Sequence, residues 1–555
     1  MEGGRLLLAI ALMIAVVVIT NLIFQPVPVA NRPAVPADTT PEVAGATPAP
    51  EPRDPVAGIA IDPEPADADT RPSADTVRAM SSLFSYGFST RGASLVSAKL
   101  VEYEAYASEA EGQPVELAPA YAPALVSHRL QFGQRTVDLS RLHFTPDRQS
   151  IDVTGDTAPE LLFTHRDSAS GIIFETAYRF DADNYVVDVE VRVKGAGNAT
   201  PQLLIDLGPR LALNEAERAE DERALSYVVN NPNTGITSTS LNRVRPDQLT
   251  NGPLTWVALK SKYFLAAAMQ STRESMPFGG VIANPGEQEF DAQLTATLLP
   301  GTDGVFQYRL YLGPQDFERL ASFNNQLQDV SVFGWKFLQP VLRPLGHAIT
   351  WLLLQIHRAL GLGYGWVLVL FGFMIRIVLW PLNAKAMRSQ MKNMEFQPRI
   401  KELQARYKTE PEKLQKEMLR LYKEEGFNPM GGCLPMLLPL PVLITLFFVF
   451  QSTIEFRGVE FLWLPDLSRA DPFYILPVAL GLSMFIQQWL NTRTSKDIAP
   501  QMKVMTYVMP VFLTVLFLNF ASGLNLYYAS MNIASVPQQL QIMKERKRVL
   551  EARGG

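Results

Sequence analysis

Residues 365–382 read GWVLVLFGFMIRIVLWPL, an apolar run broken by one charge, Arg376. At about 1.5 Å of rise per residue such a run comes close to crossing the ~30 Å hydrocarbon core of a bilayer. An arginine near the middle of a membrane helix costs about 3 kcal/mol on insertion scales, so its presence needs a reason. One account is snorkelling toward the headgroups near Asn383, about 10 Å further along the axis. The other is a water-containing cavity. Helical side chains lean toward their own N-terminus, which tips Arg376 toward the membrane midplane and favours the cavity.

Working outward, five further apolar stretches accompany this one (Leu360–Leu382): Leu6–Phe24, Gly431–Phe450, Pro472–Leu490, Lys503–Phe520 and Leu524–Ile542. None of the six holds an Asp or Glu that could neutralise Arg376. Leu6–Phe24, preceded by Arg5, reads as an uncleaved anchor over residues 1–25, since the VPVAN that follows lacks a small-x-small cleavage site. The segment 383–428 carries 11 Lys+Arg against 7 Asp+Glu, whereas the cations of 451–471 are Arg457 and Arg469 alone. Arg493 and Lys496 mark the next loop, and Lys544, Arg546, Lys547, Arg548 and Arg553 the end of the chain. Positive charge stays inside, so both termini and both basic loops belong in the cytoplasm.

Between the first two spans the composition changes twice. Residues 26–75 are dominated by Pro, Ala, Asp, Glu and Thr and cannot bury enough apolar surface to order themselves. From residue 76 to 328, runs such as GIIFETAYRF, NYVVDVEVRV, GVFQYRLYLG and YFLAAAMQ, set between Gly, Asn, Asp and Pro, predict a large antiparallel β-sandwich outside the membrane. The single Cys excludes an intrachain disulfide and a Cys-based zinc site. His128, His143 and His165 show no metal-ligand spacing and read as surface or satisfied histidines. Residues 329–358 mix aromatics, Lys336 and Arg343 before the second span. They read as an amphipathic segment in the headgroup region or, alternatively, as a packed linker.

The chemistry lies in the spans and the basic loop. Residues 384–427 predict a cytoplasmic helical hairpin broken at TEPE, with Pro411 at the start of its second helix. The hairpin suits docking to a ribosome or nascent chain, while its Met and Leu residues serve as the seam between its helices. In the last span Asn525, Tyr528 and Asn532 fall on one helical face, with Tyr527, Ser530 and Ser535 nearby, either as interhelical glue or as a cavity wall. Residues 359–545 would form a five-span core and 546–555 a basic tail. There is no G-x-x-x-x-G-K-[ST], no G-x-S-x-G and no metal-ligand pair, so no catalytic residue, cofactor or metal is assigned. A net charge of -5 argues against a basic-bodied nucleic-acid binder, and no specific DNA partner is expected. A small-solute transporter is the competing class, but the halves show no internal repeat.

MIRIVLWPLNAKA, LYKEEGFNPMGGCLPMLLPLPV, LPDLSRADPFYILPVALGLSMF and MPVFLTVLFLNFASGLNLYY, in that order, resemble the YidC membrane protein insertases. Ala521 departs from the Pro that family members often carry before Ser522 and Gly523. The resemblance implies a polytopic α-helical membrane protein of six spans in the bacterial inner membrane, with a periplasmic all-β supersandwich and a cytoplasmic helical hairpin. It also implies an insertase and chaperone, not an enzyme, with a groove open to cytoplasm and lipid and closed outside. Arg376 matches the groove arginine, and Tyr527 or Tyr528 falls where substrate is contacted. The expected groove set is Arg376, Asn525, Tyr527, Tyr528 and Asn532. Implied partners are nascent membrane proteins, the Sec translocon, membrane lipid, and a ribosome or targeting receptor on the hairpin and tail.

Overall fold

The computed structural model describes residues 74–554 except 156–157, 169, 198–199, 302–303, 332–337, 385–396, 408–409, 425–439 and 494–499. The expected anchor and nearly all of the linker lie outside the described residues.

Alternating burial builds the β domain. Strands run from Thr76–Met80 to Val305–Pro314 and form two sheets, of eleven and nine strands among the described residues, antiparallel except where Thr76–Met80 meets Ser150–Asp152. The four stretches singled out in the sequence are neighbours in one sheet, in the order Phe264–Gln270, Val305–Pro314, Val186–Lys194, Ile173–Phe180. Phe264–Gln270 departs from strict alternation: Phe264 to Met269 are all buried, as expected of a central strand covered on both faces. Phe88, Phe163, Tyr178 and Phe180 pack in the core between the sheets. His128 is fully buried, not at the surface, with Nε2 2.8 Å from the Tyr308 hydroxyl. His165 Nδ1 lies 2.7 Å from the carbonyl oxygen of His143, so these histidines form no ligand set. Asp316 caps the short helix Phe317–Ser322, accepting from the Arg319 N–H at 2.9 Å, and Leu327 and Val330 then close the domain's core.

Among the described residues eight further helices follow: α1 Gln339–Leu360, α2 Tyr364–Val378, α3 Gln397–Arg406, α4 Pro411–Glu424, α5 Leu440–Ser452, α6 Ile475–Arg493, α7 Pro500–Phe517 and α8 Ser522–Gly554. Among the described residues no single helix is long and apolar enough to cross a membrane; α1 and α2 pass that test together but are bent by 117°. Gly361, at φ 62°, caps α1 and makes the turn possible. α3 and α4 lie against each other on either side of 407–410. Through the residues expected to form the basic tail, α8 continues as helix to Gly554. No proline or glycine interrupts 538–553, and a cationic C-terminal end suits the helix dipole.

Among the described residues the β domain meets the helical part through ion pairs at two places. At the first, Arg457, just beyond α5, is buried with its Nε 2.8 Å from Glu215 Oε1. Its guanidinium lies over the rings of Tyr106 (4.2 Å) and Phe264 (5.3 Å). Ile454 joins the β-domain core from the same loop. At the second, Asp329 receives His347 Nε2 at 2.9 Å and Arg343 Nε at 3.7 Å from α1, and Arg358 pairs with Glu318. Removing one partner of a buried ion pair leaves the other charge stranded, which costs about 3–5 kcal/mol. Arg457→Ala is therefore expected to lower the thermal unfolding midpoint of the full chain in detergent, while Arg457→Met paired with Glu215→Gln recovers most of the loss.

Glu455, in the same seam, is pushed up to about 8 by burial, with Asp316 and then Glu318 adding to the effect, and its Oε2 has no hydrogen-bond partner. A carboxyl raised from 4.5 to about 8 holds its proton in the docked state and releases it on exposure. Docking stability is then full below about pH 4.5 and declines as pH rises through about 8. Limited proteolysis of the seam from pH 5 to 9 should show this trend, and Glu455→Gln should flatten it.

Candidate functional site

α2 and α8 pack at backbone distance because Gly372 has no side chain. A Cβ there would sit 2.9 Å from the Tyr527 carbonyl oxygen and 3.0 Å from Ser530 Cβ. Small residues permit such approaches between membrane helices. One turn further along α2 stands Arg376, half-buried against α8. Its Nη2 donates to Gln538 Oε1 at 2.8 Å. The Asn383 amide, with its oxygen toward the guanidinium, lies 2.7 Å from Nη2 and 3.2 Å from Nη1. Gln538 in turn donates to the Trp380 carbonyl at 3.0 Å.

These partners correct the expected lean. Asn383 and Trp380 lie C-terminal to Arg376, so the guanidinium reaches along α2 toward its C-terminal end and not back toward its N-terminus. The gain from two buried amide acceptors outweighs the backward tilt of the Cβ. No ion pair to Arg376 is formed among the described residues, and its Nε is buried without an acceptor. Among the described residues, only neutral dipoles are bonded to the charge.

The other expected residues divide into two groups. Tyr528 is half-buried and stacks on Phe517 of α7, with ring centroids 5.7 Å apart. Tyr527 is fully buried, packed on Phe371 (5.5 Å), with its hydroxyl 3.5 Å from Met531 Sδ. Asn525 donates to the Phe517 carbonyl at 3.1 Å, and its buried Oδ1 has no partner. Asn532 donates to Ser483 Oγ of α6 at 3.3 Å. Thus Arg376 and Tyr528 retain exposure, while Asn525, Tyr527 and Asn532 tie α8 to its neighbours. Sequence reasoning missed Asn383 and Gln538. Asn383 follows Arg376 by seven residues, two helical turns, a spacing that marks a shared face. Among the described residues, no cluster of His, Cys, Asp and Glu could hold a metal.

Residues 355–549 match the family model described as 60Kd inner membrane protein, and residues 77–345 match the YidC periplasmic domain. A membrane protein insertase YidC of Chlorobaculum parvum is 30% identical over 83% of this chain and 81% of its own length. That of Chlorobium phaeovibrioides is 32% identical over 83% and 82%. The chain belongs to the YidC insertase family. A solved structure described as an active YidC insertase with its first transmembrane domain resolved aligns over 84% of this chain and 93% of its own, at 16% identity and TM-score 0.34. Membership makes this chain an inner membrane protein with a periplasmic β-sandwich domain, and places it among YidC insertases, which are not enzymes. In this YidC chain, the α2–α8 contact at Gly372 fixes where Arg376 meets Gln538. Gly372→Leu should overpack that contact at a cost of about 1–3 kcal/mol, read as a lower unfolding midpoint in detergent.

Proposed function

We propose that this protein inserts nascent membrane proteins through a hydrated, cytoplasm-open groove centred on Arg376, and that hydrophobic client spans leave the groove sideways into lipid. The observation that carries this reading is the solvation of Arg376 by the neutral amides of Asn383 and Gln538, with no described carboxylate pairing it. A charge held this way stays attractive to an acidic client segment. In a site of reduced dielectric that attraction is stronger than in bulk water. Tyr528 contributes half-exposed groove surface, and Asn525, Tyr527 and Asn532 back the wall. Burial of a client's apolar span, with the membrane potential acting on its charges, drives the step without a nucleotide.

In this reading α2, α5, α6, α7 and α8 supply five spans, and Leu6–Phe24 supplies the sixth. Both termini are cytoplasmic, and α1 lies in the outer headgroup region. The 117° bend after α1 and the apolar helices Pro441–Ser452, Ile475–Gln487 and Tyr507–Phe517 support this layout. The hairpin of α3 and α4, with the cationic end of α8, would receive a ribosome or targeting receptor, and the Sec translocon would act as a partner for larger clients. The deciding experiment is reconstitution in liposomes with a short, acidic-tailed client and protease protection as readout. Insertion above empty liposomes, reduced about tenfold or more by Arg376→Ala and largely kept by Arg376→Lys, is expected; a tenfold change corresponds to about 1.4 kcal/mol of lost attraction. Wild-type insertion no better than empty liposomes would overturn the reading.

A further inference from the structure

The loop between α5 and α6 contains a tight turn with an unusual tip. Phe461 and Leu464 exchange backbone hydrogen bonds, N–H to carbonyl, at 2.9 Å in each direction, which leaves Leu462 and Trp463 as the two tip residues. Two-residue turns of this kind need positive φ and are normally built with Gly or Asn. Here the position is held by Leu462 at φ 55°, with 72% of its surface exposed, beside Trp463 at 37%. Both features run against folding in water: the backbone is strained for a branched side chain, and the apolar surface is uncovered. Strain kept at an exposed apolar tip points to something outside the chain that receives it.

The surroundings identify what that is. Trp366, in the first turn of α2, is 54% exposed and meets Phe461 edge-on at 5.3 Å. Gly365 leaves room for the Phe461 ring, since a Cβ there would lie 2.1 Å from it. Just before α6, Phe473 is 65% exposed and Tyr474 is 51% exposed at φ 56°. Asp471 pins that entry, accepting from the N–H of Phe473 at 3.0 Å and of Leu476 at 2.7 Å. The exposed aromatics therefore sit at the starts of two apolar helices and in the loop leaving a third, all at one end of the bundle. Aromatic side chains gather at that level in membrane proteins because one part of the ring seeks hydrocarbon and the other seeks water. The opposite side of the loop is already committed, since Arg457 and Ile454 are held by the β domain.

We propose that the Leu462–Trp463 tip is seated in the outer leaflet, at the boundary between phospholipid headgroups and acyl chains. This rests on the membrane-spanning reading of α2, α5 and α6. The loop is then held between the β domain at its root and lipid at its tip.

The test uses the full chain in phosphatidylcholine–phosphatidylglycerol liposomes, in a Cys433→Ser background, with a spin label attached through Leu462→Cys, Val511→Cys or Glu111→Cys. Val511, exposed on α7, is the lipid reference; Glu111, exposed on the β domain, is the aqueous one. A several-fold higher ratio of oxygen to nickel-chelate collisions at 462 than at 111, approaching that at 511, is expected. An aqueous ratio at 462, or shielding there from both relaxants, overturns the seating. An aqueous ratio at 511 overturns the spanning reading and the seating with it. A second variant, Leu462→Asn, keeps a residue suited to positive φ. It should hold or raise the unfolding midpoint in detergent while reducing quenching of tryptophan fluorescence by brominated lipid; unchanged quenching would also overturn the proposal.

Discussion

A guanidinium in an apolar helix must be solvated by something, and the helical part of this protein is arranged around that requirement. Asn383 and Gln538 supply oxygens from two helices. Those oxygens are in reach only because Gly372 lets α8 lie directly against α2 one turn earlier. Asn525 and Asn532 then lock α8 to α7 and α6, so the position of Gln538 is set by the whole bundle. Two amides offer dipoles without a countercharge. They lower the cost of burying the cation while leaving its field unspent, whereas a carboxylate would have neutralised it.

Outside that bundle, the β domain is joined by buried polar contacts together with Ile454, which enters its core. Arg457 is both ion-paired and stacked on aromatic rings, so its planar charge satisfies a carboxylate at its edge and π-systems on its faces. The neighbouring Glu455, short of a partner, makes the seam responsive to proton concentration in a way the amide cradle of Arg376 is not, because amides do not titrate in that range.

Much of this was legible in the sequence, and the limits have physical causes. Period-2 alternation marked three neighbouring strands of one sheet, Val305–Pro314, Val186–Lys194 and Ile173–Phe180, since a half-buried strand prints its geometry on its residues. YFLAAAMQ, taken with them as an alternating run, is a strand but departs from the alternation, because Phe264–Gln270 is buried on both faces. Arg376 stood out because charge is rare in an apolar helix. Its partners did not, because an Asn just past one helix and a Gln within another are unremarkable until the packing brings them together. The direction of the guanidinium was misjudged for the same reason: rotamer preference is a local effect, and two acceptors from the tertiary structure override it. Tyr527 and Tyr528 are adjacent, and only the helix packing shows that one is enclosed and the other half-open. The seam contact Arg457–Glu215 joins distant parts of the chain, and Asp329–His347 links a domain edge to a helix 18 residues on, beyond the reach of neighbouring turns or strand positions, so neither leaves a local pattern.

The bend at Gly361 sets α1 across the direction of α2, and α1 is itself fastened to the β domain through Asp329 and Glu318. With Arg457 as a separate fastening, the domain is attached along a line and not at a point. A body pinned at one point can swivel; one pinned at two can at most rock about the axis between them. The β domain is thus held against swivelling, and the motion left to it is rocking about the line through its two fastenings.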